Sequence, residues 1–404
     1  MALATGIAKQ LRYKVEATYG VAPGVASAQL LRRTQSTVDL SKDTYQSNEI
    51  RTDYQIADFR HGVRKVGGNI NGELSPGTYK DFIAAAMRKA FVAGAAATGL
   101  SITIAAGTAP FYTLTRAAGS WLTDGIKLGD VGRFTAGTFN VANTNTNVFI
   151  AAMTATVLTV QTLNGAALVA EGPIASATFT VTGKKTYAAP TGQLDQSFSI
   201  EHWYSDITQS ELFTGCKINT VDINLPPSGM ATVGFGVVGK DLTTGVAQYF
   251  TSPSPLTASG VVAAVNGVLQ VAGGATGICT GLSLKIDGGY SGDPVVGANT
   301  IPAQFPGRIR VSGQLTAYFQ DAAVRDLFVN EVEATLAVAL TTNNTASADF
   351  IAFVLPRIKV GGATKSDSEK GLVITLPFTA LIQTAGGTGT AWDNTTLSIQ
   401  DSLA

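Results

Sequence analysis

Gly234-Phe235-Gly236-Val237-Val238-Gly239 spells the G-x-G-x-x-G pattern that can cradle a dinucleotide phosphate. That mechanism needs a strand before the glycines and a helix after them, so that phosphate sits on the helix N-terminus. Here Val233, Phe235 and Val237 alternate through the motif, and Lys240-Asp241-Leu242-Thr243-Thr244-Gly245 follows as a turn. The glycines are therefore expected inside a strand, with no nucleotide. General acid–base or triad chemistry would need His61 or His202, the only histidines, beside a nucleophile and an orienting carboxylate. His61 instead sits in a charged run with Asp58 and Arg60, and His202 continues the alternating face of Phe198 and Ile200 as a core or edge residue. Gly289-Tyr290-Ser291-Gly292 falls short of a nucleophile elbow because Asp293 stands where glycine is required. Asp287 and Asp293 offer too few ligands for calcium and read as a tight turn. Cys216 and Cys279 are too few for a disulfide framework, too scattered for zinc, and lie beside apolar runs as small core residues. No pair of carboxylates recommends itself for glycoside chemistry. The expectation is a protein without catalytic residues, metal or cofactor.

The elements that hold these residues are mostly strands. Ile309, Val311, Gly313, Leu315, Ala317 and Phe319 alternate with polar positions, as do Val66, Gly68, Ile70, Gly72 and Leu74. Further strands are expected at Phe198–His202, Ile218–Leu225, Ala231–Val238, Leu282–Asp287, Thr335–Leu340, Ile358–Gly361 and Val373–Phe378. One helix is expected over Thr78–Phe91, capped by Thr78 with Asp81 in its first turn, and a second over Ala322–Val332 with Val324, Leu327, Phe328 and Val332 on its apolar side. The two strand–helix units superpose at a constant offset without a gap. Val66 meets Val311, Gly68 meets Gly313, Ile70 meets Leu315, Lys80 meets Arg325 and Asp81 meets Asp326. Upstream, Val38 and Leu40 match Leu284 and Ile286 with a one-residue slip. The shared glycine, the Lys/Arg-Asp pair and the common order point to an internal duplication.

The 404 residues are 45% hydrophobic and only 14% charged, and 28 basic side chains cancel 28 acidic ones. That composition supports sizeable cores and excludes a globally basic nucleic-acid binder or an acidic tail. So few charges suggest a surface covered by partners; a Thr- and Asn-rich surface that stays soluble without charge is the alternative. Lys9, Arg12 and Lys14 interrupt the N-terminus, so no signal peptide is expected, and no apolar run is long enough to span a membrane. Synthesis and assembly in a cytoplasm follow as the expectation.

Charge density divides the chain. Arg32–Lys65 carries 12 charged residues, whereas the longer Thr98–Gly183 carries only 6. Turn clusters such as Asp124-Gly125 and Asn164-Gly165 separate short β-type runs in the second stretch, which reads as a compact all-β insert. Arg32–Lys65 mixes both signs with Tyr45, Tyr54 and Phe59. A nucleic-acid patch would be one-signed, so a loop docking on a neighbour through complementary pairs is expected, against the plainer reading of a solvated loop.

Glu16-Ala17-Thr18-Tyr19-Gly20 with Ala22-Pro23, Ser47-Asn48-Glu49-Ile50-Arg51 through Arg60-His61-Gly62, and Glu73-Leu74-Ser75-Pro76-Gly77-Thr78-Tyr79 resemble tail tube proteins of long-tailed, non-contractile, siphovirus-type phages. The insert, with Gly119-Ser120-Trp121-Leu122-Thr123-Asp124-Gly125, is similar to the extra β-domain some of them carry. The resemblance implies a mainly β fold, with a tail-tube β-sandwich domain and a flanking helix, and the internal duplication makes that two tandem domains, plus a small all-β insertion. The corresponding division is an N-terminal arm over 1–30, a first domain over 31–97 plus 190–250, an inserted decoration domain over 98–189 and a second domain over 251–404. It also implies a structural virion protein of the phage tail, with rings stacked into a tube whose lumen passes DNA without sequence-specific binding. The implied partners are further copies of itself, the tape measure protein, and the tail terminator and distal tail proteins, with no membrane insertion. Two domains per chain give a trimer with pseudo-sixfold symmetry; a homohexamer is the alternative if the repeat is a coincidence. Glu49, Arg51 and Asp53 are the expected inter-ring or inter-subunit contacts. Asn69, Asn71 and Glu73, with Ser312, Gln314 and Thr316, are the expected lumen-facing residues. The rival reading from another class is a β-domain adhesin or receptor-binding protein, for which neither a secretion signal nor an aromatic sugar platform is seen.

Overall fold

A computed structural model describes residues 3–272, 274–275, 279–320, 323–366, 369 and 371–404. Over these residues the chain is mainly β, with a 20-stranded antiparallel sheet and a closed six-stranded barrel. Alternation sets the sheet. In the strand Phe59–Glu73, Val66 and Ile70 are buried while Asn69 and Glu73 stand exposed. A row of directly opposed buried residues crosses five strands: Ile70, Phe235, Val221, Ile286 and Val311. A one-residue slip in any of them would turn its apolar side chains to water, so this row locks the register. It also puts Asn69, Asn71 and Glu73 on the same sheet face as Ser312, Gln314 and Thr316, opposite the core.

The two strand–helix units follow one route. Asp39–Gln46, Phe59–Glu73, helix Lys80–Met87, Phe198–Tyr204, Gln209–Leu225 and Thr232–Gly239 run in order, and the last strand returns to pair with Phe59–Glu73. Cys279–Asp287, Arg310–Tyr318, helix Ala323–Val329, Ala334–Thr341, Phe350–Val360 and Val373–Ala380 repeat that order and that return. Registers coincide as well. Leu40 faces Val66 as Ile286 faces Val311, and Gly68 faces Val237 as Gly313 faces Phe378. A Cβ at Gly68 would strike the Thr37 carbonyl oxygen, and one at Gly313 the Ser283 carbonyl oxygen. Gly68→Ala, whose backbone φ is +143°, is therefore expected to cost about 1–3 kcal/mol by forcing two strands apart. The urea midpoint of the unassembled chain measures this, and an unchanged midpoint would contradict it.

Three features differ from the sequence expectation. The units do not form two separate sheets, because Thr220–Leu225 pairs with Leu282–Asp287 and carries one sheet through both. Pairing these edges satisfies main-chain groups that separate sandwiches would leave open. The first helix begins at Lys80 with no side-chain cap. Thr78 Oγ1 instead accepts from Ser75 Oγ at 2.7 Å, and Asp81 accepts from the Tyr13 hydroxyl at 2.9 Å. This helix ends at Arg88, left-handed with φ 54°, which donates to the Gly288 and Gly307 carbonyls of the second unit's loop. The second helix spans Ala323–Val329, and Ala322 lies outside the described residues. Leu327 is half-buried, but Phe328 and Val332 are exposed, so of the expected apolar side only Leu327 is partly covered among the described side chains; that of Val324 lies outside them.

The low-charge stretch forms the barrel, whose strands run from Ala96–Ala106 to Glu171–Val181 around Trp121, Leu114, Ile150 and Phe179. The barrel is also glued to the sheet. Val131, Phe149 and Leu163 pack with Ala337, Ala339, Phe350, Ala352 and Val354. This explains the near-continuous apolar run Phe350–Leu355: Ile351, Phe353 and Leu355 face the main core, and their neighbours face the barrel.

Candidate assembly surfaces

The residues considered for chemistry are engaged structurally. Gly234, Gly236 and Gly239 lie in the strand Thr232–Gly239. A Cβ at Gly236 would strike Thr220 Oγ1, and one at Gly234 would crowd Asn71 Oδ1, so these glycines make room on the polar face. His202 is buried, with Nε2 at 2.9 Å from Ser36 Oγ, and burial lowers its pKa. His61 lies edge-on to Phe59 on an exposed strand. Asp287 Oδ1 accepts the Gly289 N–H at 2.9 Å, which closes a turn. Burial pushes the Cys216 thiol well up, holding it in the unreactive protonated form. Among the described residues, no group of three His, Cys, Asp or Glu side chains could hold a metal, and no helix is long and apolar enough to cross a membrane.

What remains open is surface suited to assembly. Asp39–Gln46 and Phe59–Glu73 form a long hairpin whose tip is closed by the Ser47 N–H on the Asp58 carbonyl at 3.0 Å. Ile50 is 100% exposed and Tyr54 98%, an aliphatic and an aromatic side chain that no described residue covers. Glu49, Arg51 and Asp53 come together at this tip. Arg51 donates to Asp53 at 2.8 Å and stands 4.0 Å from Glu49. The Arg51 hydrogen bond holds the Asp53 carboxyl below the usual carboxylate range. The two polar trios lie apart on two strands but on one sheet face, where Asn69, Glu73 and Gln314 are exposed and Asn71, Ser312 and Thr316 half-buried.

Sequence reasoning missed the buried anchors. Glu16 accepts from Ser197 Oγ and Ser199 Oγ at 2.7 Å and from the Gly20 and Gly215 N–H groups at 2.8 Å, pinning the N-terminal segment. Arg12 and Glu201 form a buried pair at 3.6 Å, and Lys185 joins Asp130 to Asp393 where the barrel meets the sheet. A charged residue breaking an apolar run was the available signal, but its partner is remote in sequence.

No curated protein matches the chain. Residues 6–380 match the family described as phage tail tube protein, a span that takes in both repeated units, the hairpin and the barrel. Exposed Ile50 and Tyr54 at the tip, exposed Phe328 and Val332 beside the second helix, and a sheet with one polar face suit a subunit that packs against others. The chain belongs to the phage tail tube protein family: it is a structural, non-enzymatic component of the virion that forms the tail tube with other tube subunits.

Proposed function

We propose that the chain is a double-length subunit of a long, non-contractile, siphovirus-type tail, and that three copies close a ring with pseudo-sixfold symmetry. The observation that carries this reading is the repeated route and register of the two strand–helix units. On it, residues 31–97 plus 190–250 and residues 251–404 are tandem tail-tube domains, 1–30 is an arm laid along the first, and 98–189 is a decoration on the tube exterior. The face bearing Asn69, Asn71, Glu73, Ser312, Gln314 and Thr316 lines the lumen. Its polar side chains with few net charges let DNA slide without trapping phosphate, and the tape measure protein occupies the channel before DNA does. The tail terminator and distal tail proteins meet the ring at the two ends of the tube. The mass of a solubilised ring tests the stoichiometry: three chains are expected, and six chains with true sixfold symmetry would overturn the reading.

The hairpin tip with Glu49, Arg51 and Asp53 is assigned to the contact with the next ring. Reversing all three charges, Glu49→Lys with Arg51→Glu and Asp53→Lys, keeps the tip's internal pairing possible while inverting what it presents to a neighbour. Tube formation is expected to stop while the circular dichroism spectrum and unfolding midpoint of the single chain stay as they are. Normal tubes from the triple variant would remove the tip from assembly.

A further inference from the structure

Two edges of the sheet, one in each unit, are strands paired on one side only. Among the described residues, Asp39–Gln46 pairs with Phe59–Glu73 alone and Thr364–Lys365 with Val373–Ala380 alone. Such edges are templates for another chain unless something covers them. We infer that Ala363–Ser366 of one chain pairs antiparallel with Thr37–Leu40 of the next copy, with Ala363 opposite Leu40, Thr364 opposite Asp39, Lys365 opposite Val38 and Ser366 opposite Thr37. This inference rests on the proposed equivalence of the two units.

The template lies within the chain. At the joint between units, Val221 faces Ile286, Asp222 faces Lys285, Ile223 faces Leu284 and Asn224 faces Ser283. Each side of that joint has its counterpart at an open edge. Leu40 holds the place of Ile286, since each faces the equivalent valine of the long strand, Val66 or Val311. Thr364 and Lys365 face Thr375 and Ile374 as Asp222 and Ile223 face Gly234 and Val233. Those partners are themselves equivalent, because Val233 faces Gly72 where Ile374 faces Ala317.

Hydrogen-bond direction supplies an independent check. The Thr37 N–H donates inward to the Asn69 carbonyl at 2.8 Å, and the Ser366 N–H donates inward to the Val373 carbonyl at 2.9 Å. Successive residues of a strand point their main-chain groups to opposite sides, so Val38 and Leu40 on one edge, and Ala363 and Lys365 on the other, point outward. In an antiparallel ladder opposed residues both point toward each other or both away, and the register taken from the joint matches outward with outward at each position. A slip by one residue would not. In the single chain the outward Leu40 N–H is held by its neighbour's Asp39 Oδ1 at 2.7 Å.

Cross-linking tests the register in full-length protein carrying Cys279→Ser, which leaves buried Cys216 as the native thiol. Thr364 and Asp39 would be a non-hydrogen-bonded pair, with Cα atoms about 4.5 Å apart and within disulfide reach. Assembled Asp39→Cys/Thr364→Cys protein, oxidised and then denatured without reductant, should run as a ladder ending at a closed three-chain species. Asp222→Cys/Lys285→Cys should link within one chain and give no ladder. Asp43→Cys/Thr364→Cys, about 13 Å out of register, should give little product. A ladder ending at six chains would uphold the pairing and overturn the three-chain ring. Tubes with no more cross-link than the out-of-register pair would overturn the pairing and leave the tube reading standing. If the double variant fails to assemble, chains with Asp39→Cys alone co-assembled with chains carrying Thr364→Cys alone decide the matter: covalent dimers uphold the pairing, and their absence from formed tubes overturns it.

Discussion

A chain lacking residues 95–182 is expected to precipitate as it folds, and the same chain with Phe350→Thr and Val354→Thr is expected to stay soluble and form tubes. The excision itself is mild. Ala93 pairs with Lys184, Val92 with Lys185, and the Gly94 and Gly183 main chains are already joined by a 3.4 Å hydrogen bond. Joining Gly94 to Gly183 therefore leaves a two-residue Gly-Gly hairpin turn, which suits glycine at both positions. The damage comes from the strip the barrel covers, where Phe350, Ala339 and Ala352 are fully buried and Val354 nearly so. Exposing Phe350 and Val354 forfeits about 1.5–3 kcal/mol each and leaves a contiguous apolar patch on a β surface. Threonine keeps the β preference and removes the patch. Light scattering and negative-stain microscopy measure the result. A soluble excised chain with the native strip would show that the strip does not bind the barrel tightly, and a soluble repaired chain without tubes would place the barrel within the assembly contact.

The second large effect is expected at Lys185. Its ammonium group sits between Asp130 and Asp393, 2.6 Å from the latter, and donates to both. Burial works to lower its pKa, but the two carboxylates outweigh that and hold it above its ordinary value. Burial likewise pushes the Asp130 carboxyl up, with Lys185 pulling the other way. Lys185→Met fills a similar volume and removes the cation, leaving two carboxylates facing each other at the seam. The loss is expected to be about 3–5 kcal/mol near pH 7, the scale for a buried pair broken on one side. Without the lysine the buried Asp130 carboxyl takes up a proton more readily in the folded chain than in the unfolded one. The resulting stability is present at low pH and is lost as pH rises through the raised folded value, so the deficit against the native chain should shrink on acidification. Thermal unfolding of both proteins from pH 4.5 to 7.5 measures it, and a deficit that does not change with pH would show that the carboxylates are not in conflict.

The alternation of Val66–Leu74 and Val311–Ala317, the apolar stripe Phe82–Met87, the low-charge insert and the charged character of Arg32–Lys65 could all be read from the chain, although that charged segment was expected as a loop and is largely a paired hairpin. Each rests on a period or a composition that spans a few neighbouring residues. The strand through Gly234–Gly239 was legible for the same reason, since alternation passes through the glycines. Even the equivalence of Gly68 and Gly313 was visible, although its cause was not: the colliding carbonyls belong to Thr37 and Ser283, on a neighbouring strand. Only the tertiary structure decided that one sheet runs through both units, that Phe350 and Val354 serve the barrel while Phe353 serves the main core, and that Phe328 and Val332 stay exposed where their counterparts Ile83 and Met87 are buried. It also decided which carboxylate each buried cation would meet. These outcomes depend on strand edges and side chains brought together from remote parts of the sequence, whose pairing energy appears only once the chain has closed around its core, whereas alternation and stripe are written into each segment by the geometry of its own backbone.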